Sequence, residues 1–495
     1  MPGLRRLVAV FNAPGVRRLD LAQTGGCRVF TESTRLTAKS CAQPGRLLAS
    51  HQREAKVTAR EAGAHNDPGA HNEMPVPGHV GAAAACGVYS EVGKLRTVLV
   101  CRPGLAHLRL TPRSCRELQF DGPVWVERAQ FDFDRFVLEM RQRGVEVLEL
   151  HELLAQTLMQ PAAREWLLDR LFVADTLGFD APDELRQACI ALGALRLAEL
   201  LIGGMTLADL GLPASGALGS ALALHAFVLP PLPHSLFMRE NNCWIQRGVT
   251  INLAGWRGQR SEALLMAAVY RFHPRFRHSE FRVWWGDAGA PPALARAEGG
   301  DIVPLGQGVV LIGVGERTHS QAAVQIARAL FDGGAATTVI TAQLPREGWG
   351  VAMNRVFTQC SPDVVTYRPD VVDRMTCQEL RPAPHASGIQ VRARAGEHLL
   401  DVLSTILHTP TFNAIATGGD SHDGPPDPWD DGTGMLALEP GVVIGFDRNT
   451  RTNKRLRQAG IEVIEVPGGE LGRCGAGTHS LCCPILRDAV SYPMM

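Results

Sequence analysis

Three times between Leu95 and Val466 the chain runs from an apolar strand, through a helix with apolar residues at helical spacing, into a second apolar strand. The stretches are LRTVLVC (95–101), VWVERAQFDFDRFVLEMRQRG (124–144) and VEVLEL (145–150). The order returns in GVVLIGVG (308–315), SQAAVQIARALFDGGA (320–335) and TTVITAQL, and again in GVVIGFDRN (441–449), TNKRLRQAG and IEVIEV (461–466). A strand unit of this kind leaves one face to cover, so a repeated strand-helix-strand module arranged around an axis is the natural solution. Residues 152–225 stand apart: ELLAQTLMQPAAREWLLDRLF, PDELRQACIALGALRLAELLIGG and LADLGL carry helical periodicity without strands, which predicts a helical insertion.

The first 85 residues differ. Residues 1–60 hold eleven Lys or Arg against three acids and no sustained period, and a Gly/Ala/Pro-rich connector follows. We expect a disordered extension and linker over 1–85, with the folded body at 86–495. An Arg-rich, acid-poor start also fits a mitochondrial transit peptide, and a cytoplasmic chain with a floppy tail is the other reading. Over the whole chain the 50 basic and 50 acidic residues cancel, so nothing global favours nucleic acid or a membrane surface. No apolar run reaches the length of a membrane span. Twelve cysteines without a C-x-x-C spacing suit free thiols in a reducing compartment.

Four stretches carry candidate chemistry. PPLPHSLFMRENNCWI (230–245) brings Arg239 and Glu240 out of a Pro-rich loop into a strand. AEGGDIVPLGQGVVLIGVGERTHSQ (297–321) flanks two glycines with Glu298 and Asp301 and ends at Arg317. GVAMNRVFTQC (350–360) reads as a loop entering a strand. GELGRCGAGTHSLCCPILRD (469–488) is a Gly-rich loop leading to another strand, with His479 and Ser480 at its end. The acidic DGPPDPWDDG (423–432) lacks the ligand spacing of a calcium loop.

From about Gly87 to Tyr492 these stretches make the chain resemble the arginine deiminases of the guanidine-modifying superfamily. The likeness runs collinearly through SEVGKLRTVLVCRPGLAHLRLTP, LPPLPHSLFMRENNCW, RFHPRF, EGGDIVPLGQGVVLIGVGERT, LEPGVVIGFDRNTRTN, ELGR and CPILRD. It implies a pseudo-fivefold α/β propeller of repeated strand-helix modules with a helical insertion. The implied reaction hydrolyses L-arginine to L-citrulline and ammonia, with no metal or organic cofactor. A cysteine thiolate attacks the guanidinium carbon, a histidine moves the protons and two aspartates grip the guanidinium. A guanidinium is a stabilised cation and a poor electrophile, which is why the site needs all of these groups.

Carried over position by position, the resemblance puts Ser480 where the family has its cysteine and Ala352 where it has its histidine. The guanidinium-binding aspartates fall on Glu240 and Asn354. Glu298 keeps the partner glutamate with Asp301 beside it, Phe237 keeps an apolar wall, and Arg317 keeps a contact to the amino-acid end. His234, Gln259 and Gly475 replace further contacts there. A serine without a base beside it is an unactivated nucleophile. The sequence therefore predicts an inactive or strongly impaired homologue, a pseudoenzyme of arginine metabolism. Such a protein would bind L-arginine or a related guanidino compound, as a homo-oligomer or in assembly with an active homologue. Two other readings are a working guanidine hydrolase with relocated groups, using Cys482 or Cys483, and a regulatory small-ligand binding protein.

Overall fold

The computed structural model describes residues 86–118, 120, 122–173, 183–213, 225–252, 259–286, 295–346, 351–383, 388–417, 432–474 and 476–492. The expected extension and linker at 1–85, and the acidic stretch 423–432 except Gly432, lie outside them. What the described residues form is a mixed α/β fold.

Five sheets repeat one plan, an antiparallel pair whose second strand is joined in parallel to a third. In the first, β1 (Leu95–Val100) runs antiparallel to the last strand, β19 (Cys482–Arg487), and parallel to β2 (Glu146–Glu149). The second pairs β5 (Asn242–Ile245) antiparallel with β6 (Gly248–Ile251), and β6 parallel with β7 (Arg282–Trp285). The third pairs β8 (Ile302–Gly306) antiparallel with β9 (Val309–Val314), and β9 parallel with β10 (Thr338–Gln343); a hairpin of β13 (Cys377–Pro382) and β14 (Ile389–Arg394) extends it to five strands. The fourth joins β11 (Phe357–Ser361), β12 (Val364–Tyr367) and β15 (Asn413–Ala416) in the same sense. The fifth joins β16 (Leu436–Glu439), β17 (Val442–Phe446) and β18 (Glu462–Val466).

Parallel neighbours cannot be joined by a hairpin, so each parallel pair encloses a helix. These are Val126–Gln142, Gln259–Phe272, Ser320–Asp332, Leu399–Leu407 and Thr450–Gln458. Their apolar sides close the cores: Phe133, Phe136 and Met140 of the first pack with Val98 and Val100, and Ala323, Ile326 and Leu330 of the third pack with Val310 and Ile312. The described strands form separate sheets, and none closes on itself into a barrel.

Within 152–225 the structure shows the helices Leu150–Leu158, Pro161–Leu171, Asp183–Ala191 and Ala194–Gly203. One difference from the sequence reading is a short strand there. Gly204, at φ +88°, ends the last helix, and β3 (Met205–Thr206) then pairs with β4 (Phe227–Leu229). No helix of the described residues is long and apolar enough to cross a membrane.

Candidate active site

Ser480 sits in a turn closed by its own N–H on the Gly477 carbonyl, two residues before β19, and is buried. Its Oγ donates to Glu240 Oε1 at 2.9 Å. Glu240 lies not in a strand, as the sequence suggested, but in the single helical turn Met238–Asn241 that the Pro-rich loop enters through the 3-10 turn Pro233–Leu236. That turn holds the carboxylate over the Gly299–Asp301 turn, where the Gly300 N–H donates to Glu240 Oε2 at 3.1 Å. Both glycines are needed for this approach. A Cβ on Gly299 would collide with the Arg239 carbonyl, and one on Gly300 with the Glu240 carboxylate and the Asn354 amide.

Asn354, in the 3-10 turn Met353–Arg355 ahead of β11, completes the cluster. Its Nδ2 donates to Glu240 Oε1 at 3.0 Å and to Ser480 Oγ at 3.1 Å. The two acceptors fix the amide's orientation and turn Oδ1 elsewhere, where that buried acceptor has no hydrogen-bond partner among the described residues. Glu240 thus accepts three hydrogen bonds, all from neutral donors, and no cation lies within ion-pairing distance of it among the described residues. Ala352, which the resemblance puts at the histidine's place, is buried and presents only a methyl group.

The other acids are already matched. Glu298 Oε2 takes Arg317 Nη1 at 2.7 Å, so the arginine expected at the amino-acid end pairs with a buried carboxylate. Burial raises the Glu298 pKa, Arg317 opposes that rise and Glu240 adds to it. Asp301 accepts from Thr318 Oγ1 at 2.6 Å and from the Met353 N–H at 2.8 Å; burial, then the charge of Glu298, pushes its carboxyl up to about 8. Asp301 therefore organises the turn carrying Ala352 and Asn354. Phe237 forms the expected apolar wall with Phe120 and His234, whose rings stack at 5.2 Å.

Sequence reasoning missed a buried network beneath the cluster. Arg239 Nη2 donates to Glu91 Oε1 at 2.5 Å and to the Ile302 carbonyl, and His479 Nε2 lies 3.1 Å from Glu91 Oε2. Burial works to raise the Glu91 pKa, but Arg239 and His479 outweigh it and hold the carboxyl well below the usual range. His479 Nδ1 lies 3.5 Å from Asn354 Nδ2, so the amide stands between the imidazole and Ser480. No imidazole nitrogen hydrogen-bonds Ser480 among the described residues. Nothing in the local sequence of Glu91 marks it, because its partners lie hundreds of residues away. The side chain of Gln259 and residue Gly475 lie outside the described residues.

The model of the arginine deiminase family matches residues 116–487, well over half the chain. The chain belongs to that family. Its fold is also similar to solved structures of an amidinotransferase of saxitoxin biosynthesis from Microseira wollei (12% identity, 82% of this chain and 99% of that one, TM-score 0.49), and of a DDAH from Pseudomonas aeruginosa complexed with citrulline (13%, 79% and 99%, 0.44). A third is the substrate-bound N-terminal domain of the arginine dihydrolase ArgZ from cyanobacteria (13%, 81% and 99%, 0.43). These likenesses are too distant to assign an activity.

Proposed function

We propose that this member of the arginine deiminase family holds a guanidino compound, with L-arginine the first candidate, without hydrolysing it. The observation that carries the reading is the Glu240 carboxylate, which accepts hydrogen bonds only from neutral groups among the described residues, beside a serine that has no imidazole on it. A carboxylate without a cationic partner is an attractive seat for a guanidinium, and the unpartnered Asn354 Oδ1 is an acceptor for one of its N–H groups. The Ser480 hydroxyl already donates its proton to Glu240, and Ala352 leaves that proton without a shuttle. Loss of one member of a catalytic unit typically costs ~10⁴ or more in rate.

The same reading takes the five modules as blades of a ring. In support, β19 touches β5, β5 touches the Gly299–Asp301 turn, β8 touches the Met353–Arg355 turn, β11 touches β16 and β16 touches β1. The proposed site would lie where three of these junctions meet.

A relocated thiol nucleophile has the geometry against it. Cys482 and Cys483 are fully buried; Cys482 Sγ faces the Thr478 carbonyl and burial pushes its thiol up to about 12, while Cys483 Sγ faces the Asn242 carbonyl and rises further.

Titration calorimetry tests the binding. Saturable 1:1 binding of L-arginine, and binding of the uncharged L-citrulline at least tenfold weaker, is the predicted result. No binding of L-arginine, or equal affinity for the two, would refute the guanidinium seat.

A further inference from the structure

At the end where β1 and β2 leave their sheet, three side chains of metal-binding type converge. Cys101 directly follows β1, Glu149 ends β2 and His151 stands in the first turn of the helix Leu150–Leu158. The parallel register sets Val100 opposite Glu149, which brings Cys101 alongside the start of that helix. Cys101 Sγ lies 4.0 Å from His151 Nδ1, and His151 Nδ1 lies 2.8 Å from Glu149 Oε1; the sulfur, nitrogen and oxygen all fall within 4.8 Å of one another.

We propose that Cys101, Glu149 and His151 form a site for a zinc-class divalent metal ion. The donor set is one sulfur, one imidazole nitrogen and one carboxylate oxygen, the mixture that a borderline-soft ion takes in tetrahedral sites. Metal–ligand bonds of about 2.0–2.3 Å place such donors about 3–4 Å apart, so the cluster needs shifts of about an ångström or less. Glu149 is already held in place. Its Oε1 accepts from the Arg102 N–H at 3.0 Å, its Oε2 accepts from the Glu152 N–H at the helix start, and the Arg102 side chain turns away to Asp134. These bonds aim the carboxylate as outer partners of metal ligands do. The thiol is buried, whereas the side chains of Glu149 and His151 keep 17% and 27% of their surface exposed, so the cluster has a dry sulfur side and an open side on which water can complete the coordination.

On binding, the Cys101 thiol proton and the His151 Nδ1 proton that faces Glu149 leave to solvent, the freed sulfur and Nδ1 lone pairs bind the ion, and the imidazole keeps its proton on Nε2. The reaction transfers no electron. Because Val100 stands opposite Cys482, this site and Ser480 leave the same end of the sheet, yet none of its three ligands belongs to the Glu240 cluster.

The test uses the full reduced chain, stripped with a chelator and titrated with Co(II) and then Zn(II). One equivalent of Co(II) should give a thiolate charge-transfer band and tetrahedral visible bands, both removed by one equivalent of Zn(II). Cys101→Ser should abolish the charge-transfer band. His151→Gln should weaken Zn(II) binding at least tenfold with the thermal unfolding midpoint of the metal-free protein retained. If wild-type protein shows no thiolate band, or if the band survives Cys101→Ser because another thiol supplies it, the assignment is wrong and the cluster is a Glu–His hydrogen bond beside a packed thiol. An absent wild-type band overturns the assignment even if a variant does not fold, and both readouts are independent of whether L-arginine binds.

Discussion

The Ser480 hydroxyl donates a hydrogen bond to Glu240 Oε1 at 2.9 Å, and the Asn354 amide donates to the same oxygen. The residue that the resemblance puts in the nucleophile's place is thereby tied to the carboxylate that it puts in the place of a guanidinium-binding aspartate. A guanidinium at Glu240 would add an ion pair to a carboxylate that now accepts hydrogen bonds from neutral donors alone.

Glu240→Gln should therefore weaken L-arginine binding by at least tenfold and leave thermal stability nearly unchanged, since three neutral hydrogen bonds are lost or rearranged and no ion pair is broken. Gly300→Ala should weaken binding as much by a different route, by pushing the carboxylate aside. Calorimetry and a melting curve on each variant check both. Unchanged affinity in both variants would remove Glu240 from the site.

The Glu298–Arg317 pair predicts a stability effect instead. Arg317→Ala leaves a buried carboxylate without its cation and should cost about 3 kcal/mol, near the low end of the range for a broken buried pair because Arg317 is 19% exposed. Combining it with Glu298→Gln should recover most of that loss in denaturant unfolding. Additive losses in the double variant would mean that the two side chains are not coupled.

Stability should fall as pH rises from about 6.5 to 8, above the range in which the buried His107 and His234, held down to about 4 chiefly by burial, bind fewer protons folded than unfolded and offset the acids. Asp301 is held protonated up to about 8 by burial and by Glu298, and Glu262 up to about 8 chiefly by burial, whereas both ionise near 4 in the unfolded chain. The folded state then binds more protons than the unfolded one between those values. The contribution is complete below about 4 and is lost as pH passes through 8. Asp301→Asn with Glu262→Gln should flatten the dependence of the unfolding midpoint across this window. An unchanged slope would contradict the assignment.

Native Cys482 and Cys483 should resist alkylation by iodoacetamide and react only on unfolding, because their thiolates are disfavoured by burial. Mass spectrometry of native and denatured protein reads this directly. Rapid native labelling of either would revive a shifted nucleophile.

Much of this architecture is legible in the chain, for identifiable reasons. Three of the five modules show in the sequence because strand, helix and strand follow closely, as in Val309–Val314, Ser320–Asp332 and Thr338–Gln343. The other two are hidden. β12 and β15 enclose the β13–β14 hairpin, which belongs to another sheet, and β7 is a four-residue strand far from β6. The positions of Ser480, Glu240, Asn354 and Glu298 could be named from motif order, but not the Ser480–Glu240 bond or the pairing of Arg317 with Glu298. Glu91 was silent because its meaning comes only from Arg239 and His479, which approach it through the fold. His479 reads as structural from sequence; its bond to Glu91 gives that role a partner.

The most direct test of the proposal that the chemistry is lost is citrulline and ammonia release from L-arginine by the purified chain, measured beside the same protein carrying Ser480→Cys, Ala352→His, Asn354→Asp and Glu240→Asp together. The account predicts no release above background from the natural chain, and release from the substituted one. Citrulline formation by the natural chain at a rate abolished by Ser480→Ala would contradict it, and would show that Ser480 is activated without an imidazole beside it.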